Sequence, residues 1–210
     1  MAASLAAIFN SIQMKRITVF LFVLVSVSCL AQRYDAKKGD FKNLKGIAEF
    51  NVTFDYNGQI VNGFDTEEEF LNEKMHKREH REGAAEKFHE DWFSNREKQY
   101  EPAFVNYFNK MFKDGQVKVG KNPEAKYTMH LKTTWVYPGY NAGTDIGPAK
   151  VSAIITVSET YNPANILLMV EFDKVIGLKH DIMTNTLGDR ISWAYEKLAK
   201  NLALQLKRFL

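Results

Sequence analysis

A chain of 210 residues that is 45% hydrophobic and 25% charged, with 12 glycines and 5 prolines, has the composition of a folded protein and not of a disordered or collagen-like one. Its formal net charge of +3 is too small to point to nucleic acid as a partner. The single cysteine, Cys29, excludes an intrachain disulfide framework and a multi-cysteine metal site.

Lys15 and Arg16 precede the uncharged, mostly apolar run "ITVFLFVLVSVSCL", which is followed by Ala31 and Gln32. A basic start, a short apolar middle and a small-residue exit form the pattern of an export signal over residues 1–31. The run is shorter than the roughly 18 apolar residues that read as a membrane-spanning helix, so the mature chain is predicted to have no transmembrane helix. Two processing routes fit: cleavage after Ala31, or lipidation of Cys29 as an outer-membrane lipoprotein. Ser26, Val27 and Ser28 lack the leucine that usually opens a bacterial lipobox, which favours cleavage and a periplasmic or secreted product. Residues 1–13, "MAASLAAIFNSIQ", carry no charge and have no place in such a signal, so translation either starts at Met14 or adds a bland leader. The mature chain would then hold 26 basic and 25 acidic residues.

Residues 32–45 are polar and aperiodic and read as a flexible lead-in to one domain over 46–210. Ala48, Phe50, Val52, Phe54 and Tyr56 alternate with polar residues, the period of a strand with one buried face. Asn57-Gly58 suits a tight hairpin turn, with a short returning strand over 59–64. From Thr66 the period becomes helical: Thr66 and Glu69 form a capping box, and Phe70, Ala85, Phe88 and Trp92 share a side. Gly83 either interrupts this stretch into two helices in line or is carried within it. Pro102 suits the first turn of a further helix with Phe104, Phe108, Met111 and Phe112 on one face.

The second half is strand-rich. Tyr127, Met129, Leu131, Thr133, Trp135 and Tyr137 alternate with polar residues, as do Val151, Ala153, Ile155 and Val157. "YNPAN" then turns the chain into a strand over 166–172. A last helix over 187–209 places Ile191, Ala194, Tyr195, Leu198, Leu202, Leu206 and Phe209 on one stripe. These elements predict an α+β fold, a two-layer sandwich with one mostly antiparallel sheet covered on one face by helices, in the order β-α-α-β-β-β-α.

Two stretches are candidates for chemistry. His76-Lys77-Arg78-Glu79-His80 is an H-x-x-E-H string that resembles the motif of the insulin-degrading class of zinc peptidases, in which His76 and His80 would be metal ligands and Glu79 the base. On a continuous helix the two histidines lie about 40° apart and nearly opposite the apolar stripe, facing solvent. Lys74, Lys77, Arg78 and Arg81 surround them with charge that opposes a dication. His89, near the apolar edge, reads as a packed or hydrogen-bonded side chain. The second stretch is the loop from Pro138 to Pro148. There Tyr137, Tyr140, Asn141 and Asp145 are candidate contacts to a ligand or partner. No phosphate-binding loop, nucleophile elbow or dinucleotide fingerprint occurs, and no cofactor is predicted.

The segments "TWVYPGYNAG", "PAKVSAIITVSETYNPANILLMVEF" and "GDRISWAYEKLAKNLALQLKR", with the signal ending in "CLAQ", resemble exported proteins of Bacteroidetes over most of the mature chain. The order of elements is more distantly similar to small α+β domains of envelope lipoproteins, such as the amino-terminal domain of the Tol propeller protein and the curli-secretion lipoprotein. That resemblance implies an adaptor or assembly part. The expectation is a non-catalytic exported module that binds a partner protein or small ligand in the cell envelope, with a small zinc-dependent hydrolase built on His76, Glu79 and His80 as the alternative.

Overall fold

The computed structural model describes residues 34–112, 115–142, 145–178 and 186–210. The chain opens with β1 (Tyr34–Gly39), a 3-10 turn (Phe41–Leu44), β2 (Glu49–Asp55) and β3 (Ile60–Val61). Helices α1 (Glu67–His76), α2 (Ala84–Asn95) and α3 (Glu101–Met111) follow. After them come β4 (Lys118–Gly120), β5 (Tyr127–Tyr137), β6 (Tyr140–Ala142), β7 (Asp145–Gly147), β8 (Lys150–Glu159), β9 (Asn162–Ile176) and α4 (Leu187–Leu206). The expected export signal, Cys29 and both candidate starts lie outside the described residues.

The class is the α+β arrangement that the periodicity implies. One seven-stranded sheet has the order β1-β9-β8-β5-β2-β4, with β3 also paired to β5. The helices bury one face of it around Phe50, Met129, Leu131, Ile155, Leu168, Phe104, Tyr195 and Leu198. The other face carries polar ladders, among them Thr53 Oγ1 with His130 Nδ1 at 2.9 Å and Lys37 with Glu171 at 2.9 Å. The expected antiparallel pattern holds only among β1, β9, β8 and β5, because β2 pairs in parallel with both β5 and β4. The sheet is therefore mixed: β2 reaches β5 through a helical crossover, which returns the chain in the same direction.

The hairpin expected at Asn57-Gly58 does not form. Gly58 takes a φ of +73° but Asn57 stays outside the left-handed region, so the turn lacks the two positive φ angles of a type I′ hairpin. Instead Gln59 N–H donates to the Tyr56 carbonyl at 3.2 Å, and β3 resumes the line of β2 along β5. Residues 34–45, read as a flexible lead-in, supply an edge strand antiparallel to β9, and Phe41 and Leu44 are buried beneath it. The "YNPAN" segment is already strand, since Asn162 pairs with Glu159 across a tight turn.

Two bulges meet at Ser152. On one side the β5–β8 register shifts between Thr133 and Trp135, which turns Val136 into the core and leaves Trp135 half-buried on the opposite face, against the plain alternation. On the other, Lys174 sits at φ +46°. Ser152 Oγ donates to Asp173 Oδ1 at 2.8 Å and accepts from Lys174 N–H at 2.9 Å, which satisfies the amide that the second bulge leaves unpaired.

The helices also differ from a simple in-line reading. The Thr66 hydroxyl accepts from Glu69 N–H at 3.1 Å as predicted, while the Glu69 carboxylate reaches one residue further back, to Asp65 N–H at 3.0 Å. Turns over 77–83 then fold α2 back on α1, so that Phe70 meets Trp92 with ring centroids 4.7 Å apart. Beyond α2 the backbone widens into one π turn, Arg96–Tyr100, and continues directly into α3. Pro102 explains this widening. It cannot donate to the preceding turn, so the helix is not restarted but loosened one turn ahead of the ring. Helix α4 starts from a capping box of Thr186 and Asp189 and buries the predicted stripe as far as Leu206; Phe209 lies beyond the helix and stacks on Phe41.

Candidate functional site

The H-x-x-E-H string straddles the end of α1. Lys77 is already the C-cap, so His80 leaves the helix and the fixed spacing of the peptidase motif is lost. His76 Nδ1 and the Glu79 carboxylate lie 3.0 Å apart with both side chains largely in water, and His80 is exposed as well. The expected solvent exposure thus arises from helix termination and not from a continuous polar face. Among the described residues no three His, Cys, Asp or Glu side chains converge in a geometry that could hold a metal ion. His89, read as a packed or hydrogen-bonded side chain, packs its ring edge-on against Phe93 at 4.9 Å while remaining exposed.

The second candidate stretch folds into a small ribbon, β6 paired to β7. Tyr140 Oη donates to Asp145 Oδ2 at 3.0 Å, and that carboxylate holds the phenol above the ordinary tyrosine range. The structure therefore joins Tyr140 to Asp145, with Asn141 exposed on the same ribbon. Tyr137 lies apart from them, at the ribbon's root, where it lines a cleft.

This cleft, of about 180 Å³, is closed in by Phe64, Phe70, Phe88, Pro138 and Leu187, with Lys74 and Arg78 as its charged groups. Its walls come from four places in the fold: the turn after β3, the α1–α2 hairpin, the exit of β5 and the first residue of α4. Lys74 Nζ lies 5.4 Å and 5.6 Å from the Phe64 and Phe70 ring centroids, and the Arg78 guanidinium lies 4.2 Å from that of Phe88. Such distances suit cation–π contact. Lys74 is also paired with Glu73 at 2.9 Å. Arg78 donates one bond to the Lys74 carbonyl at 2.6 Å and has no carboxylate partner among the described residues. Partial burial, and then the charge of Arg81, hold its guanidinium below the ordinary arginine range. A second cleft, of about 210 Å³, shares Phe88 and Leu187 and is lined by Asp91, Trp92, Asn95, Gln99, Thr186 and Gly188.

Two polar contacts brace the walls. The Glu67 carboxylate at the start of α1 accepts from Gln59 Nε2 at 2.5 Å, from Trp92 Nε1 at 2.5 Å and from Arg96 Nη2, tying the β2–β3 turn to both helices of the hairpin. From the other side, buried Arg190 of α4 donates through Nε to the Pro138 carbonyl at 3.2 Å. Of the predicted site residues only Tyr137 belongs to the cleft. Sequence reasoning passed over Lys74 and Arg78, although Phe70 and Lys74, four residues apart, share one side of α1 and Arg78 follows just past its end.

Among the described residues no helix is long and apolar enough to cross a membrane. No protein-family model, curated protein or solved structure matches the chain.

Proposed function

We propose that this chain is a non-catalytic exported module that binds a small ligand or a partner protein in the cell envelope. The observation that carries the reading is the cleft, where aromatic walls surround a lysine and an arginine beneath the Tyr137–Gly139 turn. Such a lining holds a molecule through apolar contact and charge, and none of its side chains forms a nucleophile–base pair. The Glu67 and Arg190 braces keep the walls in place before anything binds, as a binding site requires. Export is inferred from the basic, apolar and small-residue order of residues 15–31, with Cys29 as the alternative point of lipid attachment.

Native mass spectrometry of the protein recovered from its own cells tests this. A chain beginning at Gln32, or at a lipidated Cys29, that carries a stoichiometric small molecule or partner supports the reading. A chain that keeps residues 1–31, or that turns over a substrate and loses the activity on one polar substitution, overturns it. One equivalent of bound zinc would bring back the hydrolase on His76, Glu79 and His80.

A further inference from the structure

We infer that the cleft beside Phe88 selects a small apolar carboxylate, a single ring or short acyl chain bearing one acid group, and that Arg78 is the residue that selects it. The inference rests on the reading of this cleft as a binding site.

The ten residues that line the cleft include two cations and no carboxylate. Glu73 offsets Lys74, but it is shared with Lys77 at 2.6 Å, and both lysines draw its carboxyl below the ordinary range. Arg78 has no such counterpart among the described residues. An arginine that is partly withdrawn from water, unpaired with an acid and repelled by Arg81 costs free energy that a bound anion would recover. Of the five N–H donors of its guanidinium, one bond is made, to the Lys74 carbonyl. The planar fork therefore keeps donors in hand, and a carboxylate is the group that fits such a fork in two places at once.

Phe88 lies against the guanidinium, 4.2 Å from its central carbon to the ring centroid, while Phe64, Phe70, Pro138 and Leu187 leave apolar surface for the rest of the ligand. A bare inorganic anion would leave this surface in water. The cleft volume of about 180 Å³ is below the roughly 300–1,000 Å³ usual for larger ligands, so the part of a ligand seated in it is a single ring or a short acyl chain.

The test titrates the purified protein with phenylacetate by isothermal calorimetry, with the intrinsic tryptophan fluorescence, shared by Trp92 beside Phe70, Trp135 and Trp193, as a second readout. Phenylacetamide keeps the shape without the charge, phenethylamine reverses the charge, and acetate keeps the charge without the ring. Phenylacetate is expected to bind saturably, with the amide at least about tenfold weaker, which is what a charge-assisted hydrogen bond contributes. Arg78→Gln is expected to bring phenylacetate down to the level of the amide, while Lys42→Gln, which removes an exposed cation outside the cleft, leaves it unchanged. A urea midpoint like that of the wild type shows that the Arg78 variant is folded. Equal binding of phenylacetate and its amide, unchanged binding in Arg78→Gln, acetate binding as well as phenylacetate, or no saturable phenylacetate binding would each overturn the inference. Preference for the amide or the amine would do so while leaving the cleft a binding site, which separates this failure from failure of the broader reading.

Discussion

Glu67 is the point at which the cleft's scaffold can be tested most directly. Its carboxylate accepts three donors, from Gln59, Trp92 and Arg96, and the Glu67 and Arg96 side chains are only 20% and 16% exposed. Glu67→Ala removes the acceptor from all three at once and leaves Arg96 with no carboxylate in a site that is mostly withdrawn from water. Hydrogen bonds to charged groups contribute about 1.5–3 kcal/mol each, but the three share one carboxylate and do not add. Breaking a buried pair costs about 3–5 kcal/mol in all, and that is the expected loss here. With a urea dependence of about 2–3 kcal/mol per molar, the unfolding midpoint should fall by about 1–2 M. Arg96→Ala should cost less, because Glu67 keeps two donors, and the double variant should show a coupling of at least about 1 kcal/mol. Lys87→Ala, which breaks an exposed pair with Asp91, serves as the control and should leave the urea midpoint unchanged. A Glu67→Ala loss below about 1 kcal/mol, or strict additivity with Arg96→Ala, would refute the view that this carboxylate joins the β2–β3 turn to the α1–α2 hairpin.

Alkali should unfold the protein through its buried phenols. Burial raises Tyr56, Tyr100 and Tyr195 above the ordinary value of 10.0, so above pH 10 the unfolded chain loses protons that the folded one keeps, and stability falls as pH rises. Each contributes about 1.4 kcal/mol per pH unit, so about 4 kcal/mol should be lost by pH 11. Equal urea midpoints at pH 9 and 11 would contradict this. Tyr195→Phe should cost about 1–2 kcal/mol, since it strands the Thr133 hydroxyl that now bonds its phenol at 2.5 Å; Tyr100→Phe, which deletes a buried hydroxyl with no bonded partner, should be neutral or stabilising by the same assay. Gly39→Ala would place a methyl 1.9 Å from the Leu167 carbonyl oxygen at a φ of +70°, so β1 should peel from β9 at a cost of about 2 kcal/mol or more. Unchanged hydrogen-exchange protection in β1 would argue against that.

What could be read in the sequence was whatever local burial writes into it. Met129, Leu131, Val151, Ala153, Ile155 and Val157 lie in the core as their alternation implies, as do Ile191, Leu198 and Leu202 of the last helix. The Tyr34–Gly39 strand was not legible because all six residues are exposed, and an edge strand with no buried face has no period. The bulges at Thr134 and Lys174 depend on what Ser152 meets on the neighbouring strands, and the parallel course of β2 depends on a partner far along the chain. The site follows the same rule. Its cations were visible as a charge run, but Phe64, Tyr137, Pro138 and Leu187 reach Lys74 and Arg78 only through tertiary contact. The H-x-x-E-H string misleads for the converse reason: its spelling implies a helix that has already ended at His76.

The parallel pairing of β2 with β5 sets an order in which the fold can assemble. Asn51 and Thr128, whose side chains bond across it at 3.2 Å, are 77 residues apart, and closing a loop of that length costs about 4 kcal/mol of chain entropy before any contact rewards it. The β1 strand waits longer still, since Tyr34 lies opposite Phe172. A chain emerging amino-terminus first therefore carries its first two strands without their main partners while the helices are made. The local antiparallel run of β5, β8 and β9 can form early, because β9 follows β8 across a tight turn and β5 reaches β8 through the β6–β7 ribbon alone. On this order residues 127–176 nucleate the sheet, and the strands of the first third are added to its two flanks.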